Sequence, residues 1–267
     1  YVRKWRTERE IAREQMQQST ASSQLDLVQH DDADEEVIKM EAEIESGAIS
    51  KHECGVYVKH LRKEYEGNPI INWIRAKISG NPLRAKAAVK KLSLAIGKSE
   101  CFGLMGENGA GKSTTMNILS GIIYKTSGIA TINGYNIDTD MDLIRREFGL
   151  CPQFDVLYED LTCAEHLQFY ARIKSVDNVK QEVDYLLEKV QLAEKRNTLA
   201  QSLSGGMRRR LSIAISLVGN PKTIVLDEPT TGLDPATKRT LWDLIIQAKK
   251  DKCVILTTHS LEEADVL

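Results

Sequence analysis

The chain has 267 residues, which is long enough for one large domain or two modest ones with a hydrophobic core. Its 36 basic and 38 acidic residues leave a net charge of −2, so the composition does not indicate a nucleic-acid-binding surface. The five cysteines form no C-x-x-C pair, which argues against a zinc site or a disulfide framework and favours reduced thiols in a cytosolic compartment. There is no run of about 18 apolar residues and no secretory signal, and the chain opens on Tyr1, as an internal piece of a longer protein would.

The first part of the chain, residues 1–24, is polar and rich in basic residues and contains no Gly or Pro. Good helix formers dominate it, so a helix is predicted there. Two interpretations stay open: a juxtamembrane helix with its basic cluster on the cytosolic side of a membrane span, or a solvated helix or tail. Residues 25–54 are predicted to be an acidic linker that includes a short charged helix, with little capacity to form a core.

A globular domain is predicted to begin near Gly55 with a strand of alternating apolar residues. Two Asn-Pro breaks then indicate a long loop between Tyr65 and Ala88. A mobile surface insertion over residues 66–87 is the favoured interpretation, and an amphipathic hairpin or a membrane-facing flap is the alternative.

The stretch from Gly106 to Thr114 has the pattern G-x-x-x-x-G-K-[ST] and predicts a loop that cradles a nucleoside triphosphate. It lies between a strand-like apolar run and a helix-like run, which is the context that the pattern requires. Glycines let the backbone approach the phosphates, and N–H groups at a helix start bind them. Lys112 is expected to reach the β and γ phosphates and Ser113 to ligate Mg²⁺. The expected ATP-binding residues of this loop are Gly106, Asn108, Gly109, Gly111, Lys112, Ser113 and Thr114.

Further along the chain, apolar runs alternate with stretches of helical spacing. Strands are predicted at 91–96, 101–105, 128–132, 223–226 and 253–257, and helices within 164–200 and at 211–218. Strands that alternate with helices predict a parallel sheet covered on both faces, here with a helical insertion at about 154–204.

Two acidic residues follow the predicted buried strand at 223–226. The carboxyl end of that strand points Asp227 toward the phosphate loop, where it is expected to hold Mg²⁺ directly or through water. Glu228 is then placed to polarise the attacking water as a general base. Strands often end in acidic turns without a function, but beside a phosphate loop the functional interpretation is favoured.

Two further features depend on their position in the chain for their meaning. Ser204, Gly205 and Gly206 precede a helix and form a second anion site of small residues, which suggests that one of the two sites serves the nucleotide of a partner. His259 follows the strand at 253–257 and is expected to contact the γ-phosphate as a neutral hydrogen-bonding group. Alone, S-G-G is often a helix-start turn and a single His is usually structural, but this order and spacing favour function.

In this order the motifs resemble the nucleotide-binding domain of ATP-binding cassette (ABC) proteins, over residues 55–267. The resemblance implies an α/β P-loop NTPase with a RecA-like core, a mixed sheet and a helical subdomain. It also implies that Gln153 senses the γ-phosphate and Mg²⁺, that His259 is a switch histidine and that Tyr65 stacks on adenine. Two such domains would enclose two ATP molecules, so Ser204, Gly205 and Gly206 would serve the opposite site.

Three segments further resemble subfamily A of these proteins, whose full-length members move lipids: residues 100–106, 151–155 and 204–209. The first of these and the acidic lead-in before residue 37 are more similar to its second nucleotide-binding domain. The resemblance implies a domain on the cytosolic face of a multi-pass membrane protein. The implied partners are a second nucleotide-binding domain, transmembrane domains that meet Phe154–Thr162, and a lipid substrate, with no nucleic acid.

A soluble ABC ATPase that acts on ribosomes or nucleic acid is the alternative, and the slightly negative net charge and the short 153–204 interval argue against it. A regulatory domain that binds ATP without turnover is disfavoured because Glu228 and His259 are both present. The chain ends at Leu267, soon after His259, whereas members of the family continue with further strands. We therefore expect a C-terminally truncated sheet and doubtful independent folding.

Overall fold

A computed structural model describes residues 2–4, 31–65 and 86–267 of the chain. The strands in these ranges are β1 (Val2–Lys4), β2 (Cys54–Tyr65), β3 (Lys86–Gly97), β4 (Cys101–Met105), β5 (Ser127–Ile132), β6 (Tyr135–Asn136), β7 (Phe148–Cys151), β8 (Thr223–Asp227) and β9 (Cys253–Thr258). The α-helices there are α1 (Asp31–Ser46), α2 (Lys112–Leu119), α3 (Met141–Arg146), α4 (Cys163–Ile173), α5 (Val179–Lys189), α6 (Gly205–Leu217), α7 (Pro235–Ala248) and α8 (Leu261–Val266). Nearly all of the predicted insertion at 66–87 lies outside the described residues. None of the helices in the described ranges is both long enough and apolar enough to cross a bilayer.

A five-stranded sheet forms the centre of the fold, in the order β1-β4-β9-β8-β7. Strands β4, β9, β8 and β7 are parallel, as the sequence predicted, and β1 is antiparallel at the β4 edge. Alternate residues of β8 enter different cores, since Ile224 and Leu226 pack toward the helices α4–α7 and Val225 packs toward α2 and the second sheet. Both faces of the sheet are therefore buried, which explains the unbroken apolar runs of its strands.

A second, antiparallel sheet has the order β3-β2-β5-β6. The resemblance implied a mixed sheet, but the sequence did not separate these strands from the parallel ones. The strands predicted at 91–96 and 128–132 belong to this second sheet. Its β5–β6 hairpin turns at Asn133-Gly134, where φ is 51° and 85°, and two positive φ angles make the turn that suits the twist of a hairpin. The dipeptide Asn133-Gly134 was therefore the feature of the sequence that could have predicted this hairpin.

The first residues of the chain differ from their prediction. A helix was predicted over 1–24, but Val2–Lys4 form a strand that pairs with β4, with Val2 opposite Leu104. The edge of β4 offers unpaired main-chain N–H and C=O groups, and a short extended segment satisfies them. The rest of the predicted basic helix, and so its juxtamembrane role, lies outside the described residues.

The predicted acidic linker at 25–54 contributes more to the core than its composition suggested. Its helix α1 is present, and Ile44 on that helix is fully buried against Cys54, Tyr57 and Ala95. Met40 of the same helix also packs against this cluster, so two apolar residues attach a charged helix to the second sheet. The proposed boundaries at 24 and 54 remain predictions.

The helical insertion is packed from both ends by side-chain caps and apolar contacts. Helix α4 begins with a capping box, in which the Thr162 hydroxyl accepts from the Glu165 N–H and the Glu165 carboxylate accepts from the Thr162 N–H. Leu167 of α4 and Leu186 of α5 are buried in the same core as Leu211 of α6. The insertion therefore rests on α6, whose first turn carries the Ser204–Gly206 segment.

Candidate active site

The predicted phosphate loop connects β4 to α2 and packs against the second sheet. Gly111 has a φ of 95°, and a Cβ built on it would lie 2.4 Å from the Ala88 main-chain oxygen. Only glycine combines this left-handed backbone with so close an approach. The loop is therefore held against β3, with the start of α2 directly behind it.

Lys112 is the first residue of α2 and is buried, with its ammonium group inside the curve of the loop. Its Nζ donates to the main-chain oxygens of Gly106, at 2.6 Å, and Glu107, at 3.2 Å. Ser113 and Asn108 are exposed, and Thr114 is half-buried on the first turn of the helix. The charge of Lys112 and the free N–H groups at the start of α2 thus converge on one position.

Asp227 is the last residue of β8 and pairs with Thr257 of β9, and Glu228 follows it. The Thr257 hydroxyl donates to Asp227 Oδ1 and accepts from the Glu228 N–H at 2.9 Å. Glu228 has a φ of 46°, which is a strained value for a residue other than glycine. The strand end therefore turns sharply, and the turn directs the Glu228 side chain along the edge of the sheet.

Four predicted residues meet at this edge. Glu228 Oε1 lies 2.9 Å from His259 Nε2, and Glu228 Oε2 accepts from Gln153 Nε2 at 2.9 Å. His259 Nε2 also lies 3.3 Å from Lys112 Nζ. A neutral imidazole nitrogen either accepts or donates, so at any moment Nε2 either accepts from Lys112 or donates to Glu228. The structure thus joins the phosphate loop to the acidic residue through a histidine with two alternative partners.

The Ser204–Gly206 segment is not part of this cluster. Ser204 caps α6 by accepting from the Met207 N–H at 3.3 Å, and Gly205 is exposed with no atom within 4 Å of a Cβ built on it. A Cβ on Gly206 would meet Thr237 at the start of α7, at 2.9 Å. The segment therefore borders α7 and offers an exposed helix N-terminus of its own.

Tyr65 lies at the end of β2, where 46% of its surface is exposed and Lys63 Nζ lies 5.0 Å from its ring centroid. Residues 63–65 pair with β3 on both sides of Ala88, the residue that the phosphate loop contacts. The predicted adenine-stacking residue is therefore near the phosphate loop in the strand register, with an exposed ring.

Several residues around the cluster were not singled out from the sequence. Thr231 Oγ1 donates to Glu228 Oε2 at 3.3 Å, and the Arg209 side chain donates to main-chain oxygens on both sides of the Gln153–Glu228 contact. Arg209 stands in a run of three arginines, 208–210, which Met207 separates from the S-G-G segment. That run was the available signal, but the sequence does not say which arginine turns inward.

The segment after Gln153 presents apolar side chains to solvent. The exposed fractions are 78% for Phe154, 64% for Val156 and 54% for Tyr158. Exposed apolar groups in one short segment are typical of a surface that meets a partner. This is the segment, Phe154–Thr162, that the resemblance assigned to contact with a membrane domain.

The residues at the edge fit a magnesium nucleotide. Ser113, Gln153 and Asp227 offer oxygen atoms, the donors that Mg²⁺ prefers, and the glycine loop leaves its backbone open to phosphates. Within the described ranges no three or more His, Cys, Asp or Glu side chains form a metal-holding group on their own. That agrees with the usual Mg²⁺ site at a phosphate, where one or two carboxylates act together with substrate oxygens and water.

The chain is similar to a known protein family along most of its length. Residues 89–231 match the family model described as ABC transporter. ATP-binding cassette sub-family A member 2 of Rattus norvegicus is 48% identical over 184 residues, and the match covers 68% of this chain and 8% of that protein. ABC transporter A family member 8 of Arabidopsis thaliana is 45% identical over 222 residues, covering 82% of this chain and 23% of that protein.

A third relative is the Phospholipid-transporting ATPase ABCA3 of Homo sapiens, which is 44% identical over 216 residues. That match covers 80% of this chain and 12% of the relative. The chain therefore spans less than a quarter of the length of each of these relatives.

Among solved structures, the ATP-binding cassette MJ0796 in a dimeric post-hydrolysis state, bound to ADP and Pi, superimposes with a TM-score of 0.68. The sequences are 26% identical, and the match covers 79% of this chain and 90% of that one.

Proposed function

Because this chain belongs to the ABC transporter family and resembles its subfamily A, we propose that it binds and hydrolyses ATP to drive the transmembrane movement of a substrate. The observation that carries this proposal is the convergence of Lys112, Glu228 and Gln153, with His259 Nε2 within reach of both Lys112 Nζ and Glu228 Oε1. It combines a phosphate-binding cation, an acid–base pair and an amide in one place, which phosphoryl transfer to water needs.

In this proposal each side chain has one task. Lys112 leaves the loop oxygens that it contacts and binds the β and γ phosphates of ATP. Glu228 accepts the proton of the water that attacks the γ-phosphorus, and His259 orients the phosphate and Glu228 through Nε2. When bound, Mg²⁺ would be held by Ser113, Gln153 and Asp227 and would neutralise phosphate charge.

Glu228 Oε2 accepts from Gln153 and Glu228 Oε1 lies beside His259 Nε2, and these contacts hold the carboxylate in one orientation. A base that is already oriented loses little entropy when the reaction begins. The adenine ring would stack on Tyr65, and its exposed face is available for that contact.

We propose that the working unit is a pair of such domains with ATP between them. In support, the solved cassette MJ0796 is dimeric, and Ser204 and Gly205 are exposed at the start of α6, where main-chain N–H groups suit an anion. Each Ser204–Gly206 segment would then complete the nucleotide site of the other domain. Closure on ATP and reopening after hydrolysis would be the mechanical step.

We further propose that the domain acts on the cytosolic face of a membrane protein that moves lipid. The relative named as a phospholipid-transporting ATPase supports the lipid class, and the exposed apolar segment Phe154–Thr162 supports contact with a membrane domain. Gln153 directly precedes this segment, so a change at the γ-phosphate would move the surface that meets that domain.

The first test is Glu228→Gln, which keeps the shape and hydrogen-bonding capacity of the side chain and removes the base. We expect ATP hydrolysis to fall by about 10²- to 10⁴-fold with ATP affinity retained. The measurements are phosphate release and titration with a fluorescent ATP analogue. Glu262→Gln on α8, an exposed glutamate, is the matched control and should hydrolyse ATP at the parent rate. Parent-level turnover in Glu228→Gln would remove Glu228 from the role of base.

The transport proposal has a separate test. We expect the native polypeptide that carries this chain to stay in the membrane pellet after alkaline carbonate extraction. Release into the soluble fraction would contradict the transporter and favour a soluble ABC ATPase with a macromolecular partner.

A further inference from the structure

Arg209 lies on α6, five residues after Ser204, and its side chain is buried beneath the active-site edge, with 5% of its surface exposed. All three of its guanidinium nitrogens donate hydrogen bonds to the two segments that carry Gln153 and Glu228. On one side the acceptors are the main-chain oxygens of Pro152, at 2.6 Å, and Gln153, at 3.3 Å, with Asp155 Oδ1 at 3.2 Å. On the other side they are the main-chain oxygens of Asp227, at 2.9 Å, Glu228, at 3.0 Å, and Pro229, at 2.7 Å.

The segment after β7 has a second attachment to the same helix. Ser212 lies one helical turn after Arg209, and its hydroxyl donates to Asp155 Oδ1 at 2.8 Å. Asp155 is also the one carboxylate among the Arg209 acceptors given above. The carboxylate therefore receives hydrogen bonds from two side chains of α6, and hydrogen bonds with a charged partner are stronger than neutral ones.

The closeness of β7 to α6 adds to this attachment. A Cβ built on Gly149 of β7 would lie 2.0 Å from the Ser216 main-chain oxygen of α6, so only glycine permits this contact. The strand that leads to Gln153 is thus in close contact with the helix that carries Arg209.

We propose that Arg209 is a positioning residue for hydrolysis: it sets the separation of Gln153 and Glu228 and makes that separation depend on the position of α6. The inference rests on the proposed ATPase function and extends it. The N-terminus of α6 also carries Ser204–Gly206. A shift of this helix would therefore change the position of Glu228, the general base of the same domain, through the Arg209 side chain.

The chemistry of arginine suits this role. Its planar fork presents five N–H groups in fixed directions, so one side chain can engage acceptors on two different segments. Lysine offers a single ammonium group, which cannot span both segments in the same way. Removing the guanidinium would also leave several buried main-chain oxygens without a donor, which is unfavourable.

The neighbouring arginines provide an internal comparison. Arg208 Nη1 donates to the Ala200 main-chain oxygen at 3.4 Å, and Arg210 Nη1 donates to those of Val190 and Gln191, both at 3.3 Å. These two side chains attach α6 to the helical insertion. Arg209 is the member of the run that contacts the segments of Gln153 and Glu228.

The test compares Arg209→Gln with Arg210→Gln in the native polypeptide. Both variants make the same chemical change on the same helix, but only the first removes the bonds near the base. For Arg209→Gln we expect kcat to fall by about 10²-fold, as for a misplaced catalytic group, with ATP affinity near that of the parent. Arg210→Gln should keep the parent kcat, and Arg209→Lys should recover part of the lost kcat.

A second measurement does not depend on turnover. Hydrogen–deuterium exchange without nucleotide should speed up in peptides that cover 150–157 and 223–231 in Arg209→Gln and stay at the parent rate there in Arg210→Gln. A parent protein that does not hydrolyse ATP would defeat the proposed function, whereas this exchange pattern would still report on Arg209.

Three results would overturn the inference. The first is that folded Arg209→Gln keeps the parent kcat, and the second is that Arg210→Gln loses as much kcat as Arg209→Gln does. The third is that Arg209→Gln loses ATP affinity by as large a factor as it loses kcat. If Arg209→Gln does not fold, Arg209→Lys decides the question, because a parent-level kcat and exchange pattern in that variant would also overturn it.

Discussion

Glu228, the general base that we propose, is also a residue with a strained backbone. A left-handed backbone at a residue other than glycine is unfavourable by about 1–3 kcal/mol, and it persists where the surroundings hold it. Here the holding groups are Thr257, which accepts the Glu228 N–H, and Arg209, which donates to the Glu228 main-chain oxygen. The strain is therefore supported from a neighbouring strand and from α6, and it directs the carboxylate toward His259 and Gln153.

Glycine at two positions of the phosphate loop serves two different needs. Gly109 has a φ of 84° with no atom within 4 Å of a built Cβ, whereas Gly111 has a φ of 95° and the Ala88 oxygen at 2.4 Å. We expect Gly109→Ala to lower the free energy of unfolding by about 1–2 kcal/mol from backbone strain alone. Gly111→Ala should lower it further and weaken ATP binding more.

Denaturant unfolding of the two glycine variants measures the loss of stability, and nucleotide titration measures the loss of ATP binding. Equal losses in both variants would contradict the close contact between Gly111 and β3.

Helix α4 and the segment before it form one mechanical element, joined by His166. This side chain is fully buried, its Nδ1 lies 2.8 Å from the Thr162 main-chain oxygen, and its Nε2 accepts from the Tyr158 N–H at 2.9 Å. The two bonds require a neutral ring with its proton on Nδ1. The exposed segment Phe154–Thr162 is thus attached to α4 by a group that can gain a proton.

Burial lowers the pKa of His166 below its usual 6.5, against the smaller opposing effects of the Thr162 hydrogen bond and of Glu165. Folding therefore favours the neutral ring. Its contribution to stability is fully present above pH 6.5 and is lost as the pH falls from 6.5 toward the lowered folded-state value. Protonation would place a donor at Nε2 against the Tyr158 N–H.

Between pH 7.5 and 5.5, roughly one unit on each side of the ordinary pKa, we expect the free energy of unfolding to fall more in the parent than in His166→Gln. The glutamine of that variant does not titrate in this interval. Denaturant unfolding at both pH values tests this expectation. Equal pH dependence in the two proteins would mean that His166 is not the titrating group.

At the element scale, the parallel strands, α6 and the helical insertion were predictable because each has an unbroken apolar run or helical spacing. Three strands of the second sheet were predicted, but their pairing into a separate sheet was missed, because the pairing between β2 and β3 is decided across the 20-residue interval from 66 to 85. The strand at Val2–Lys4 was missed because three residues are too few to show an alternation of apolar and polar side chains. Its extended form is set by pairing with the edge of β4.

At the scale of the whole molecule, the two anion sites that we propose belong to different elements. Lys112 lies at the carboxyl edge of the parallel sheet, and Ser204–Gly206 lie at the exposed start of α6, beside α7. Each domain thus has one Lys112 site and one Ser204–Gly206 segment. This suits a pair of domains in which the segment of each would complete the nucleotide site of the other. The exposed apolar segment Phe154–Thr162 is a third surface, which the proposed function assigns to a membrane domain.

Gly205→Glu tests whether the second site serves another domain. The new side chain enters open space, and a carboxylate in the first turn stabilises a helix by about 0.3–1 kcal/mol, so folding should be retained. We expect ATP binding at Lys112 to be unchanged and turnover to be lost, because the carboxylate would repel the phosphates of the opposing ATP. Photolabelling with an ATP analogue and phosphate release measure the two quantities.

Gly205→Gln, which adds the same bulk without charge, is the control for Gly205→Glu and should lose less turnover. If Gly205→Glu instead weakens ATP labelling as much as Lys112→Ala does, the two sites belong to one domain.

The sequence by itself determined the phosphate loop, the Asp227-Glu228 pair, the S-G-G helix start and the class of fold, because each depends on local backbone requirements and short spacing. Only the tertiary structure decided which side chains meet. Lys112 and His259 are 147 residues apart, Gln153 and Glu228 are 75 apart, and Arg209 connects two segments that lie on either side of it in the chain. These contacts follow from the order β4-β9-β8-β7, which brings distant strand ends to one edge, and no local pattern encodes that order.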